Sequence, residues 1–327
     1  MASPLVPSPS EQEMMNRAFN HGSSGTEGFR STITDSSGNE MPAMDDPARA
    51  GYVTITDGVE TANVTAQNEL NVLDSGINIE TARGNVPGVS SIHKFGNAPD
   101  FDTGDGVVSI WDGANDGGIN QMTYTYSTTA AIDSLSSSSG ADTMDIEVQG
   151  LDASFAQVTQ TITLTGQTRV ALTTDLIRVF RLKNVGSTNL AGQLYCYENV
   201  ATTAGVPNDL TLVRASIDNG NNQTLMAIYT IPAGKTGYMD SFFASTAGGN
   251  KSSNYIIDVY ARPSGQVFQL KHRNSLADAG SSHIQHKYTV PEVFAAQTDI
   301  EMRVQITAAG VTAASISAGF DITLIDN

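Results

Sequence analysis

The chain has 327 residues, and its 17 Lys and Arg stand against 34 Asp and Glu, for a formal net charge of −17. A surface this acidic repels phosphate, which argues against a DNA- or RNA-binding protein. The single cysteine excludes an intrachain disulfide framework, and no apolar stretch approaches the ~18 to 20 residues that a membrane helix needs.

Residues 1–50 are predicted to form an extended anchoring arm. They contain five prolines and few Val, Ile or Leu residues. One helical segment is indicated, in which Met14, Met15 and Phe19 share an apolar face. Because so short a segment cannot bury enough surface to fold alone, we expect it to lie along a partner, with these three residues as candidates for subunit contact. The first four residues lack the basic and apolar regions of a secretion signal, so none is expected.

Two further segments precede the main body of the chain. Residues 51–90 are predicted to form a small β-meander, because alternating runs at 52–56 and 69–73 are separated by the turn signal Asp57-Gly58. Residues 91–120 are rich in Gly, Asp and Asn and are predicted to be a structured loop with one short strand at 107–111.

The remaining residues predict an all-β fold of antiparallel β-sandwiches. Short runs rich in β-branched and aromatic residues recur with turn signals between them, which is typical of two packed antiparallel sheets. We predict two lobes, 121–204 and 205–327, with one continuous fold as the alternative. In the run 300–307, Glu301, Arg303 and Gln305 alternate with apolar residues, which predicts one solvated and one buried face. The strand candidates are 121–126, 144–149, 158–164, 177–185, 192–197, 210–217, 223–231, 236–245, 255–261, 267–271, 284–290, 300–307 and 319–325.

Charge is unevenly distributed along the sequence. The 74 residues between Lys94 and Arg169 contain ten acidic residues and no Lys or Arg. Within them, Asp100, Asp102 and Asp105 resemble the start of a calcium-binding loop, but their spacing is out of register. They are therefore a weak candidate metal site, the favoured interpretation is a set of turns, and no cofactor is predicted.

Arg262, Lys271 and Arg273 form a modest basic patch in the predicted C-terminal lobe. Two interpretations stay open. The patch could dock onto the acidic segment of another copy of the chain, or it could be the solvated tip of a hairpin.

No sequence motif indicates catalysis. The chain has no Gly-x-Ser-x-Gly elbow, no phosphate-binding loop and no His-Glu-x-x-His. Cys196 lies between two tyrosines in a strand-like run, where a cysteine usually packs as a small apolar residue. The prediction is that the chain is not an enzyme. Paired carboxylates of a polysaccharide depolymerase leave no short motif, so this activity is the third hypothesis.

Four stretches of sequence resemble one family. They are Ser91-Ile92-His93-Lys94-Phe95-Gly96, Trp111-Asp112-Gly113, the run from Gln223 to Tyr238, and Ser317-Ala318-Gly319-Phe320-Asp321. With the predicted meander, they resemble poorly characterised structural proteins of tailed, mainly aquatic bacteriophages, over about residues 51–327. The resemblance implies a component of the virion and assigns no catalytic residue.

The resulting hypothesis is a non-enzymatic structural protein on the exterior of a bacteriophage particle, as a head decoration, a head fibre or a tail-attached component. Its expected partners are other copies of itself and other capsid or tail proteins, with the host surface as a further candidate, and it would assemble in the host cytoplasm. The alternative hypothesis is a host-receptor or glycan-binding module. Its candidate lining consists of aromatic residues of the C-terminal lobe, for most of which core packing is the favoured use: Tyr238, Phe242, Phe243, Tyr255 and Tyr260.

Overall fold

A computed structural model of the chain describes residues 77–327, apart from 115–117, 249–252, 279–280, 308–309 and 313. The predicted arm, the candidate contacts Met14, Met15 and Phe19, and most of the predicted meander lie outside the described residues. In the part that is described, no helix is long and apolar enough to cross a membrane.

The described residues are almost entirely β-strands, as the sequence predicts. A short helix, α1, spans Ile77–Ala82, and two 3₁₀ turns span Thr103–Asp105 and Leu210–Leu212. The strands are β1 (Val89–Phe101), β2 (Val107–Ser109), β3 (Ile132–Ser137), β4 (Asp145–Leu151), β5 (Gln157–Thr163), β6 (Val170–Leu176), β7 (Arg178–Asn184), β8 (Leu194–Glu198), β9 (Thr202–Thr203), β10 (Val206–Pro207), β11 (Val213–Ile217), β12 (Ile228–Thr230), β13 (Lys235–Gly248), β14 (Ser253–Pro263), β15 (Gln269–Asp278), β16 (Ser281–Phe294), β17 (Thr298–Ile306) and β18 (Ala314–Asp326).

Two long-stranded sheets form the first sandwich. Sheet A has the order β1-β18-β13-β16, and sheet B has the order β12-β17-β14-β15, with β2 also paired to β17. Both are antiparallel. Apolar residues at alternate positions of β14, β17 and β18 are buried, among them Ile257, Val304 and Phe320, so one face of each sheet contributes to the core. Phe242 of sheet A contacts His272 of sheet B, with ring centroids 4.8 Å apart.

The second sandwich is built from shorter strands. Sheet C has the order β11-β8-β3-β6, and sheet D has the order β5-β4-β7. The two sheets contact each other through β7 with β11 and through β5 with β6. Their buried residues include Leu135, Val148 and Tyr197.

The division of the chain differs from the predicted one. The second sandwich lies within 132–217 and is inserted between β2 and β12 of the first sandwich. The predicted boundary at 204/205 fails because β11 completes sheet C. The predicted loop 91–120 begins with most of β1, and α1 lies within the predicted meander. Residues 75–327 form one compact unit.

The segments that carry the family resemblance meet in one buried centre. β1 pairs with β18 so that Phe95 faces Gly319 and Gly96 faces Ala318. Position 96 requires a glycine because two neighbouring backbone segments lie against it. A Cβ atom there would lie 2.4 Å from both the Ala227 nitrogen and the Ile110 oxygen.

The other two segments join the same centre through backbone pairing. The Asp112 nitrogen donates to the Leu225 oxygen at 2.9 Å, and the Leu225 nitrogen donates to the Asp112 carboxylate at 2.6 Å. Trp111 forms a bridge with Met226, and its indole donates to the Gln121 oxygen at 3.1 Å. These segments therefore contribute packing and backbone hydrogen bonds to the fold.

Candidate functional site

The most distinctive feature is a polar layer on the face of sheet B that turns away from the first sandwich's core. The register of β14 and β17 places Arg262 opposite Asp299, Tyr260 opposite Glu301, and Asp258 opposite Arg303. We call this set, together with Arg178, the polar layer.

The sequence prediction of a solvated face here is wrong. Asp299 is 1% exposed and Glu301 is 0% exposed. The segment 123–128 lies over this face, and the Tyr126 hydroxyl donates to Glu301 Oε2 at 2.8 Å. Alternation in a strand distinguishes its two faces but does not reveal that a second layer covers the polar one.

Asp299 is the centre of the layer. Arg178, at the start of β7, donates through Nε and Nη2 to its two carboxylate oxygens, at 2.8 and 3.0 Å. Thr230 donates to Oδ1 at 2.6 Å, and Arg262 Nε donates to Oδ2 at 3.0 Å. A buried carboxylate is tolerated only when it is paired and hydrogen-bonded. These donors therefore explain how the charged Asp299 can be buried at the interface of the two sandwiches.

Glu301 has a second set of partners. Besides Tyr126, Arg303 and the Ser109 hydroxyl donate to it, the latter at 3.4 Å. Burial raises the pKa of Glu301, while the charge of Arg303 opposes that rise. Burial and the neighbouring Glu301 carboxylate raise the pKa of Tyr126 well above its ordinary value. Tyr126 is therefore a protonated hydrogen-bond donor and not a phenolate base.

Cations and aromatic rings alternate along the layer. Arg178 lies over the Tyr126 ring at 5.0 Å, and Arg262 lies 4.6 Å from Tyr126 and 4.5 Å from Phe268. Arg303 lies 4.8 Å from Phe268. Such contacts are worth more when desolvated, so the stack stabilises this interface.

A buried lysine also joins the two sandwiches. Lys94 of β1 is buried, and its Nζ donates to the Phe180 oxygen of β7. Burial, and to a smaller extent the charge of Arg181, lowers the pKa of Lys94 well below its ordinary value.

The predicted basic patch is paired within the chain. Arg262 belongs to the polar layer, Lys271 lies 3.5 Å from Glu292, and Arg273 donates twice to Asp258 at 2.8 Å. Docking onto an acidic neighbour stays a prediction, and it would use cations that already have acidic partners.

The predicted weak metal site is a capped turn. The Asp102 nitrogen donates to the Asp105 carboxylate at 2.7 Å, and Asp100 is exposed. Across the described residues, no group of three His, Cys, Asp or Glu side chains could hold a metal ion.

EDTA is therefore expected to shift the melting temperature of the protein by about 1 °C or less, because Asp105 already binds the backbone of its own turn. The measurement is a thermal melt by circular dichroism, with and without EDTA. A fall of about 10 °C that added Ca²⁺ reverses would contradict this interpretation, since it corresponds to a few kcal/mol of bound-ion stabilisation.

The aromatic residues suggested for glycan binding do not form an exposed set. Phe242 and Tyr255 are buried in the core, and Tyr260 stacks against Arg303 at 4.6 Å. Tyr238 and Phe243 are half-buried.

Two histidines meet where β15 and β16 face each other. The rings of His272 and His286 are 4.4 Å apart, and both lie near Tyr288. Burial, then the proximity of His286, lowers the pKa of His272, while a hydrogen bond with Asn274 opposes this shift.

Acidification is expected to destabilise this edge of the first sandwich. The pKa of His272 is lower in the folded state than in the unfolded chain, so the unfolded chain binds more protons as the pH falls. The stability that depends on a neutral His272 is therefore present above about pH 6.5 and is lost below it. Melting temperatures measured at about pH 7.5 and 5.5 should therefore differ less in His272→Gln than in the original chain. The control is His283→Gln, at an exposed position of the facing strand β16. An equal reduction of the difference in melting temperature in both variants would contradict the assignment to His272.

Comparison with protein-family models gives no match, and comparison with curated protein sequences gives none either. Some solved structures are distantly similar. The cryo-EM structure of broad bean stain virus is 10% identical, covers 60% of this chain and 84% of that chain, and has a TM-score of 0.19. A structure of infectious bursal disease virus, Gx strain, is 11% identical, covers 72% of this chain and 75% of that chain, and has a TM-score of 0.21. At TM-scores this low, the similarity carries no argument about fold or function.

Proposed function

We propose that this chain is a non-enzymatic structural protein of a virus particle. The observation that carries the proposal is the meeting of the four resemblance segments in one buried centre, where Gly96 contacts the backbone at Ile110 and Ala227. What these segments contribute is packing and strand pairing. The segments that resemble bacteriophage particle proteins are therefore the segments that form the core and the strand pairing of this fold.

The use of the buried charges supports the non-enzymatic part of the proposal. Asp299, Glu301 and Asp258 are each held by arginines, and Asp142 is held by backbone amides and a hydroxyl. Carboxylates committed to such pairs stabilise an interface and are poorly placed to transfer protons to a substrate.

The finer proposal places the chain on the exterior of a tailed-bacteriophage particle, as a head decoration, a head fibre or a tail-attached component. The net charge of −17 supports an outer position, because such a surface repels packaged DNA. Its partners would be further copies of itself and other virion proteins, contacted through the N-terminal region.

Deleting residues 1–50 is expected to abolish incorporation into particles while leaving the β-sandwiches folded. The reason is that the deleted residues precede the compact unit 75–327 and contribute little apolar sequence to a core. The measurement is the amount of the chain that co-sediments with particles in a density gradient, together with the far-ultraviolet circular dichroism of the purified variant.

The matched control replaces the deleted residues with a Gly/Ser linker of equal length, which keeps the chain length but not the Met14, Met15 and Phe19 face. Incorporation of both variants at the original copy number would contradict the anchoring role. An original chain that never co-sediments with particles would contradict the proposal as a whole.

A further inference from the structure

A cavity of about 770 Å³ opens beside the polar layer, between the segment 123–128 and the loop that follows β14. Its size is in the range of small-molecule sites, and its lining combines aromatic rings with a few charged groups. Nothing in the proposed structural role requires such a cavity.

Two arginines bring unused donors to this cavity. Arg262 and Arg303 both line it, and their side chains are 27% and 16% exposed. Each donates its Nε to a buried carboxylate, but within the described residues no hydrogen bond is made by the terminal nitrogens of either. Stacking on Phe268 fixes both guanidinium groups in place, at 4.5 and 4.8 Å. Two pre-positioned guanidinium groups suit a carboxylate, which they can bind through paired hydrogen bonds.

The local charge also favours a small anion. The charged side chains that line the cavity are Arg178, Arg262 and Arg303 against the single carboxylate Asp299, and even with Glu301, the buried partner of Arg303, counted in, one positive charge is in excess there in a chain of net charge −17. A long polyanion such as nucleic acid would be repelled by the rest of the surface, whereas a single acidic group can enter the cavity.

The remaining lining is rich in hydroxyl and amide groups. Thr125, Thr128, Ser264 and Gln266 line the cavity, are exposed, and make no side-chain hydrogen bond within the described residues. They would complement a ligand with many hydroxyl groups. We infer that the cavity binds a saccharide carrying a carboxylate, with Arg262 and Arg303 on the carboxylate and these polar side chains on the sugar hydroxyls.

Calorimetric titration of the full chain tests this inference with three probes: trigalacturonate, the neutral trisaccharide maltotriose and inorganic phosphate. We expect trigalacturonate to bind at least about tenfold more tightly than maltotriose, since the charged hydrogen bonds are made only by the acidic sugar. Equal binding of the two sugars, or no binding of trigalacturonate, would overturn the inference. Phosphate that binds as tightly as trigalacturonate would assign the cavity to simple anions and would also overturn it.

Substitutions locate the site. Arg262→Gln should weaken trigalacturonate binding about tenfold or more, and it should keep the fold because Asp299 retains Arg178. The matched control is Arg273→Gln, which removes an arginine that also pairs with a buried carboxylate but does not line the cavity.

Gln266→Ala, at an exposed position, should weaken trigalacturonate binding severalfold without affecting folding. If Arg262→Gln does not fold, this variant alone tests whether the cavity is the binding site. Unchanged affinity in the folded cavity variants would overturn the inference. Because these titrations use the isolated chain, their failure leaves the proposed virion role untouched, and failure of particle incorporation leaves the cavity assignment untouched.

Discussion

Replacing Arg178 by methionine is expected to lower the free energy of unfolding by about 3 to 5 kcal/mol, because it leaves Asp299 buried with its bidentate partner removed. The same change removes the donor to the Ser127 and Ile177 oxygens, at 2.6 and 2.8 Å. For a chain of this size, the expected fall in melting temperature is roughly 10 °C.

Two further variants separate this effect from a general effect of substitution. Arg83→Met removes an arginine that is 61% exposed, and it should change stability by less than about 0.5 kcal/mol. Arg178→Met combined with Asp299→Leu should recover part of the loss, since it also removes the buried carboxylate, which in Arg178→Met keeps only Arg262 and Thr230 as partners. A single variant Arg178→Met that melts at the original temperature would show that the polar layer does not hold the two sandwiches together.

Replacing Asp142 by alanine is expected to cost about 3 kcal/mol, which corresponds to a fall in melting temperature of roughly 6 to 12 °C. The Asp142 carboxylate is fully buried and accepts from the Ala191 and Gly192 nitrogens, at 2.8 and 3.0 Å, and from the Ser137 hydroxyl at 2.5 Å. Its removal leaves the buried Gly192 nitrogen, the partly buried Ala191 nitrogen and the buried Ser137 hydroxyl without this acceptor, next to β3 and β8.

Denaturant unfolding of Asp142→Ala and of Asp175→Ala measures this difference. Asp175 lies exposed on β6, so its substitution should change stability by less than about 0.5 kcal/mol. Asp142→Asn should fall between the two, because its one carbonyl oxygen can still accept from a backbone amide. Equal stabilities of the two alanine variants would contradict the buried role of Asp142.

The sequence predicts the β class and many of the strands for a physical reason. Strands such as β4, β5, β14 and β17 carry β-branched and aromatic residues in alternation, and the structure has each of them within a few residues of its predicted bounds. β3 is not predicted from the sequence, because half of its residues are serines; these, Ser134, Ser136 and Ser137, are buried in the structure. Hydroxyl-rich runs are typical of loops, and only the tertiary fold supplies partners such as the Tyr197 hydroxyl, 3.0 Å from Ser136.

β1 escapes prediction for a different reason. Its sequence contains Gly96 and Pro99, which normally interrupt strands, but β1 is the edge strand of sheet A, where a proline can be accommodated. Gly96 is needed because the backbone at Ala227 passes too close for a side chain.

The candidate site is the part of the molecule that is hardest to predict from the sequence. No short motif links Arg178, Tyr126 and Asp299, because they lie far apart in the sequence. Asp142 is, in the sequence, only one of the ten acidic residues in the segment that has no Lys or Arg. The sequence singles out Arg262 as part of a basic patch, but it does not reveal the partner Asp299, which is found only when β14 and β17 are paired. Buried charge pairs between distant segments are set by the tertiary fold, whereas strand patterns are local.

The most direct test of the proposed virion role is a cryo-electron microscopy density map of particles released from cells that produce this chain. The account predicts all-β density on the outer surface of the particle into which residues 77–327 fit as the two sandwiches, in contact with further copies and separated from the packaged nucleic acid. A particle map that accounts for every density without this chain, together with its absence from the particles by mass spectrometry, would contradict the proposal.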